Sequence, residues 1–156
     1  MIEIEVPGFT KFRLEHLVLD VNGTIAKDGQ VIKGVAELLE VLQSKLALHL
    51  ITADTFGNQE AIDRILSLRA VRIPTQNQAG AKLCYIESLD AAKVAAIGNG
   101  ANDSAMLEKA GLGICIIGPE GAAITALLKA DVAVADIRAA LELLIYPKRL
   151  VATLRR

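Results

Sequence analysis

Three small polar clusters stand out in an otherwise aliphatic chain, each just after a short apolar run. Asp20 closes the run 14–20 and is followed by Asn22, Gly23 and Thr24. Thr52 closes the run 47–52 and is followed by Ala53 and Asp54. Asn99, Asn102 and Asp103 follow the run 93–97, in a loop punctuated by Gly98 and Gly100. Carboxylates can act as nucleophiles or as oxygen ligands for hard cations, and hydroxyls and amides can donate to anions. Such groups do chemistry together only if the fold brings them to one place.

The pattern of elements supplies that place. Apolar runs that read as strands (residues 2–6, 14–20, 47–52, 71–73, 93–97, 112–117 and 132–135) alternate with stretches of helical spacing. These helical stretches begin near residue 34 and recur at 59–68, 79–89, after residue 100 with Met106 and Leu107, and at 121–129, 137–145 and 148–156. Two turn dipeptides, Asn22-Gly23 and Asp28-Gly29, flank residues 24–27 and predict a small hairpin or flap after the 14–20 strand. Strand and helix in alternation predict an α/β fold: a three-layer, doubly wound, mainly parallel sheet with helices on both faces. Ligands in such sheets bind beyond the carboxyl ends of the strands, where strand order reverses. All three polar clusters stand at such ends.

Composition bounds the rest. The 156 residues suffice for one domain, residues 1–156, with a real core. Apolar residues are 53% and aromatics only 3%, so the core is aliphatic and the chain is not disordered. A net charge of -1 gives no bulk attraction for nucleic acid. The charged, short start MIEIEVPG is no secretory signal, and no apolar run is long enough to span a membrane. The expectation is a soluble, cytoplasmic protein with no membrane or nucleic-acid partner. Cys84 and Cys115 lie far apart in apolar patterns and read as two buried thiols. His16 and His49 fall inside strand patterns and read as structural. The basic tail Lys148, Arg149, Arg155 and Arg156 lacks interleaved aromatics and reads as a solvated or subunit-contacting helix.

The segments Asp20-Val-Asn-Gly-Thr24, Thr52-Ala-Asp-Thr and GNGANDSAML (98–107) resemble the first, second and fourth motifs of the haloacid-dehalogenase superfamily. The nearest subgroup resembles soluble relatives of the phosphorylation domain of P-type ATPases, whose motifs read DKTGT, TGD and GDGxND. The resemblance covers residues 14–134. It implies a Rossmann-like core and a Mg²⁺-dependent phosphohydrolase acting through an aspartyl-phosphate on Asp20. Lys82 is the candidate third-motif lysine, with Lys93 or a solvated helix charge as the alternatives. Asp103 would orient Lys82 or a metal-bound water. Gly23, Thr24, Thr52, Ala53 and Asn102 would surround the phosphate. Asp20, the carbonyl of Asn22 and the side chain of Asn99 would hold Mg²⁺. Asp54 reads as a helix cap or a further site acid.

The sequence departs from the family at two of these positions. Asn22 stands where phosphatases carry a general acid–base aspartate, and an amide cannot exchange a proton at neutral pH. Asn99 stands where the family has a charged Mg²⁺ ligand, so metal binding should be weaker. Slow turnover follows, or else a binding or interaction protein that kept the fold and lost the chemistry. About 30 residues separate Thr24 from Thr52, and Thr52 from Lys82, which leaves no room for a cap domain. Capless members of this size, similar to the tetrameric sugar-acid phosphatases, use a neighbouring subunit as lid. The resemblance therefore implies a homo-oligomer acting on a phosphorylated small molecule or phosphoprotein.

Overall fold

A computed structural model describes residues 1–53 and 57–156. Among these residues the central sheet has six strands: β3 (His16–Asp20), β6 (Ala47–Thr52), β7 (Val71–Arg72), β8 (Val94–Gly98), β9 (Leu112–Ile116) and β10 (Val132–Val134). Their order is β10-β9-β8-β3-β6-β7, and every adjacent pair is parallel. The chain starts this sheet in the middle, runs outward through β6 to β7, then returns to the other side of β3. Strand order therefore reverses at β3, beside β6 and β8. Binding crevices of doubly wound sheets open at such reversals.

Both faces of the sheet are covered, which explains strands without polar alternation. Leu17 and Leu19 point into one aliphatic cluster with Val35, Leu39 and Leu42 of α1 (Val35–Gln43) and Leu141 and Leu144 of α6 (Ile137–Ile145). Val18 and Ile51 point into the other, with Ile86 of α3 (Gln78–Ser88), Met106 and Leu107 of α4 (Ser104–Lys109) and Ala126 of α5 (Ile124–Lys129). Helix α2 (Gln59–Leu66) buries Ile62 in the first cluster. The layered α/β architecture expected from the alternation is present.

The predicted strand 14–20 divides. Leu14 ends β2 (Thr10–Leu14), which pairs antiparallel with β1 (Ile2–Val6) in a separate hairpin, and His16 begins β3. Glu15 bridges the two, its amide donating to the carbonyl of Lys93 and its carbonyl accepting from Ala47. Periodicity cannot say that one apolar run serves two sheets. The hairpin buries Ile2, Ile4 and Val6 beside Leu150 of α7 (Pro147–Leu154). The helix expected from residue 121 starts only at Ile124, because Gly118 and Gly121 bridge in a tight turn and Gly121 has φ 80°.

The predicted flap is present as β4 (Ala26–Lys27) and β5 (Gln30–Val31). No cap domain interrupts the core among the described residues. Cys115 is buried, but Cys84 is exposed, contrary to the expectation for it. Helix α3 turns Lys82 and Ile86 inward, and a residue two positions after Lys82 points to the opposite side.

Candidate active site

Asp20 is the last residue of β3, where the chain must leave the sheet. The next turn is tight: the amides of Thr24, Ile25 and Ala26 all donate to the carbonyl of Val21. Gly23 sits there at φ 81°, which a side chain would strain. The turn folds Thr24 back so that its hydroxyl donates to Asp20 Oδ2 at 3.0 Å. A Cβ on Gly23 would also lie 2.6 Å from the Glu120 carboxylate.

Lys82 reaches the same carboxylate from α3. Its Nζ lies 2.6 Å from Asp20 Oδ1 and 2.5 Å from Asp103 Oδ1. The lysine is 1% exposed. The other oxygen of Asp103 accepts from the amides of Asn99 (3.0 Å) and Gly100 (2.9 Å). Gly98 makes this possible, because a Cβ there would lie 2.5 Å from the Asp103 carboxylate. Asp103 is thus fully committed to holding Lys82 and the loop that follows β8. The alternative Lys93 is excluded by position: it is half-buried at the amino end of β8, paired with Glu15 at 3.2 Å.

One buried ammonium between two buried carboxylates carries a formal charge of -1. Burial is the main reason that Asp20 is pushed up to about 7 from its ordinary 3.8. Asp103 pushes the same way, and Lys82 and the Thr24 hydroxyl pull against it. For Lys82, burial favours the neutral amine, but Asp20 and Asp103 outweigh it and the ammonium is held above its ordinary range. The lysine therefore stays charged.

The remaining residues complete a rim. Asn22 Nδ2 donates to Thr52 Oγ1 at 3.3 Å, joining the ends of β3 and β6. Asn99 Nδ2 donates to the carbonyl of Gly121 at 3.1 Å, and its Oδ1 lies 3.4 Å from the Thr24 hydroxyl. Asn102 Nδ2 donates to Gln78 Oε1 at 2.7 Å. A cavity of about 230 Å³ opens here, lined by Asp20, Asn22, Ala53, Asn99, Asn102 and Glu120, among others. The structure gathers Asp20, Asn22, Gly23, Thr24, Thr52, Ala53, Lys82, Asn99, Asn102 and Asp103 at this one rim. Asp54 lies outside the described residues.

Two cavity residues escape the sequence reading. Gln78 is one helical turn before Lys82 on the same face of α3. Glu120 sits in the Gly-Pro-Glu-Gly turn after β9, so the strand-end rule applied to β9 would have found it. His16 and His49 are engaged structurally: His16 Nδ1 lies 3.1 Å from His49 Nε2, and His49 Nδ1 lies 2.9 Å from the Tyr85 hydroxyl.

Among the described residues no three His, Cys, Asp or Glu side chains gather as a metal-holding group. The donor set still suits a hard divalent cation. Mg²⁺ is commonly held by one or two carboxylates with carbonyl oxygens and waters. Here an excess negative charge at Asp20 borders a cavity that also presents the Asn99 amide.

Residues 77–124 match the family described as haloacid dehalogenase-like hydrolase. An uncharacterised protein of Methanocaldococcus jannaschii is 52% identical over 63 residues, 40% of this chain and 68% of that one. A Legionella pneumophila chain assigned to subfamily III A of the HAD hydrolases superposes with a TM-score of 0.71 at 15% identity, covering 89% of this chain and 86% of its own. The 3-deoxy-D-manno-octulosonate 8-phosphate phosphatase of Moraxella catarrhalis, solved with magnesium and phosphate, superposes with a TM-score of 0.66 at 21% identity, covering 91% and 94%. No helix among the described residues is long and apolar enough to cross a membrane.

Proposed function

Since this chain belongs to the haloacid dehalogenase-like hydrolase family, we propose that it is a slow, Mg²⁺-dependent phosphatase that forms an aspartyl-phosphate on Asp20. One observation carries the reading: Lys82 is held by Asp103 against the Asp20 carboxylate on the floor of a small open cavity.

Asp20 attacks the phosphorus of a phosphomonoester, a bond forms from its carboxylate oxygen, and the bond to the leaving alcohol oxygen breaks. Water then attacks the phosphorus, the bond to the Asp20 oxygen breaks, and inorganic phosphate leaves as the carboxylate is restored. Phosphoryl transfer spreads negative charge over the equatorial oxygens, so catalysis is positioning and electrostatic stabilisation. Lys82 supplies a fixed positive charge beside the nucleophile. Thr52, Asn102 and the backbone of Ala53 and Gly23 bound the space where the phosphoryl oxygens would sit. Mg²⁺, held by Asp20, the Asn22 carbonyl and Asn99, would neutralise charge on the phosphate when bound. Asn22 has no proton to exchange, and its amide is engaged with Thr52, so departure of the alcohol and attack by water both lack general acid–base help. That makes turnover slow and the phosphoenzyme long-lived.

The cavity is small and open, which suits a small phosphorylated molecule or a phosphorylated side chain. Ile117, just after β9, and Ile124 and Leu128 of α5 are exposed and offer an apolar surface for a second copy, which would cover the cavity. Phosphate release from acetyl phosphate, with and without Mg²⁺, tests the reading, together with intact mass after brief exposure. The expected result is Mg²⁺-dependent release and a mass gain of one HPO₃, both absent in Asp20→Asn. Equal rates in that variant would overturn it.

A further inference from the structure

We propose that Glu120 supplies the negative charge that Asn99 lacks, facing a divalent cation bound at the Asp20 rim. The inference rests on the Mg²⁺-dependent reading above and assigns to it a residue outside the family motifs.

The expected metal ligands leave a shortage of charge. Asn22 and Asn99 are neutral. Both oxygens of Asp103 are taken, one by Lys82 and one by two backbone amides. Asp20 is then the only carboxylate of the motif set that borders the cavity, and one of its oxygens already accepts from Lys82. Sites for Mg²⁺ commonly use one or two carboxylates. A second one is present, on a different loop.

Glu120 lines the same cavity as Asp20 and Asn99. Its Oε2 lies 2.6 Å, and Asn99 Oδ1 and Nδ2 each 3.2 Å, from a single point, the place where a Cβ on Gly23 would be. The absent side chain of Gly23 therefore leaves room for the carboxylate to stand beside the Asn99 side-chain amide. Among the described residues Glu120 accepts no hydrogen bond and forms no ion pair, so its charge is uncommitted.

The loop carrying Glu120 is tied to Asn99 at two points. The Asn99 side chain donates to the carbonyl of Gly121, and the amide of Ala123 donates to the carbonyl of Asn99 at 2.8 Å. The first bond spends the Asn99 Nδ2 on the loop, and Oδ1 accepts from the Thr24 hydroxyl at 3.4 Å, keeping a lone pair for a further partner. The bridge between Gly118 and Gly121 closes the turn that presents Glu120. Glu120 itself is exposed, but the loop that carries it is fixed to the residue whose charge is missing.

Binding of Mn²⁺, followed by the loss of its free-ion electron paramagnetic resonance signal, reads this without turnover. Five proteins are compared: wild type, Asp20→Asn, Glu120→Gln, Glu120→Gln with Asn99→Asp, and the remote control Glu5→Gln. Glu120→Gln should weaken Mn²⁺ about tenfold, the scale of supporting carboxylates at metal sites. Asn99→Asp in that background should recover the loss, and Glu5→Gln should match wild type. Wild-type affinity in Glu120→Gln would overturn the assignment of Glu120. If Asp20→Asn still abolished binding, the phosphatase reading would stand. Binding unaffected by Asp20→Asn, or none in wild type, would instead overturn the metal-dependent reading itself.

Discussion

The side-chain amide of Asn22 donates to the hydroxyl of Thr52 across 3.3 Å, so the ends of β3 and β6 are tied where a phosphatase needs a proton shuttle. Replacing the amide by a carboxylate keeps size and position and adds an exchangeable proton. Asn22→Asp should raise phosphate release from acetyl phosphate by about 10²-fold. Steady-state assay with Mg²⁺ checks it, and an unchanged rate would mean that proton transfer does not limit the wild type.

Among the described residues Lys82 is the only cation touching two buried carboxylates. Lys82→Met keeps the stem and deletes the charge, leaving Asp20 and Asp103 to face each other. Breaking a buried pair in this way costs about 3–5 kcal/mol. Urea unfolding at pH 7.5 should show that loss, and the double variant Lys82→Met with Asp20→Asn should recover part of it.

Asp20 titrates at about 7 in the fold against 3.8 when free, so the folded protein binds this proton more tightly. The sign follows: its contribution to stability is fully present below pH 3.8 and is lost as pH rises through about 7. Asp20→Asn is neutral throughout and escapes the loss. Without divalent cations, the melting temperature of Asp20→Asn minus that of wild type should grow from pH 4.5 to pH 8. A gap constant across that range would contradict the burial of the charge.

Gly98 stands where a Cβ would come within 2.5 Å of the Asp103 carboxylate. Gly98→Ala must push that side chain away from Lys82 and from two backbone amides. The expected loss is about 1–3 kcal/mol, the usual range for overpacking, with activity falling further than stability. Thermal unfolding alongside the acetyl phosphate assay separates the two effects.

The exposed Cys84 and buried Cys115 give a direct solution check of the orientation of α3. Ellman's reagent should titrate one thiol rapidly in the native protein and both in denaturant. Two slow thiols would mean that the helix is turned the other way, which would also move Lys82.

Much of this protein follows from local pattern. Alternating apolar runs and helical spacing mark the layered fold, because strands buried on both faces must be apolar throughout. Asp20, Thr52, Asn99 and Asp103 can be picked out because each follows such a run, at the end where the chain leaves the sheet. Even the two asparagines that distinguish this site are visible in the linear order.

What the linear order lacks is any measure of approach between distant segments. The choice of Lys82 over Lys93 depends on which helix face turns inward and which end of β8 meets the cavity. The splitting of residues 14–20 between two sheets depends on a hairpin partner that the run does not name. Glu120 joins the rim only because β9 lies beside β8, so that the turn following one strand hangs over the loop following the other. Side-chain periodicity is a property of a few successive residues, whereas the field at Asp20 comes from Lys82 on α3, Asp103 beyond β8 and burial by the surrounding fold. Only the sheet order sets those distances.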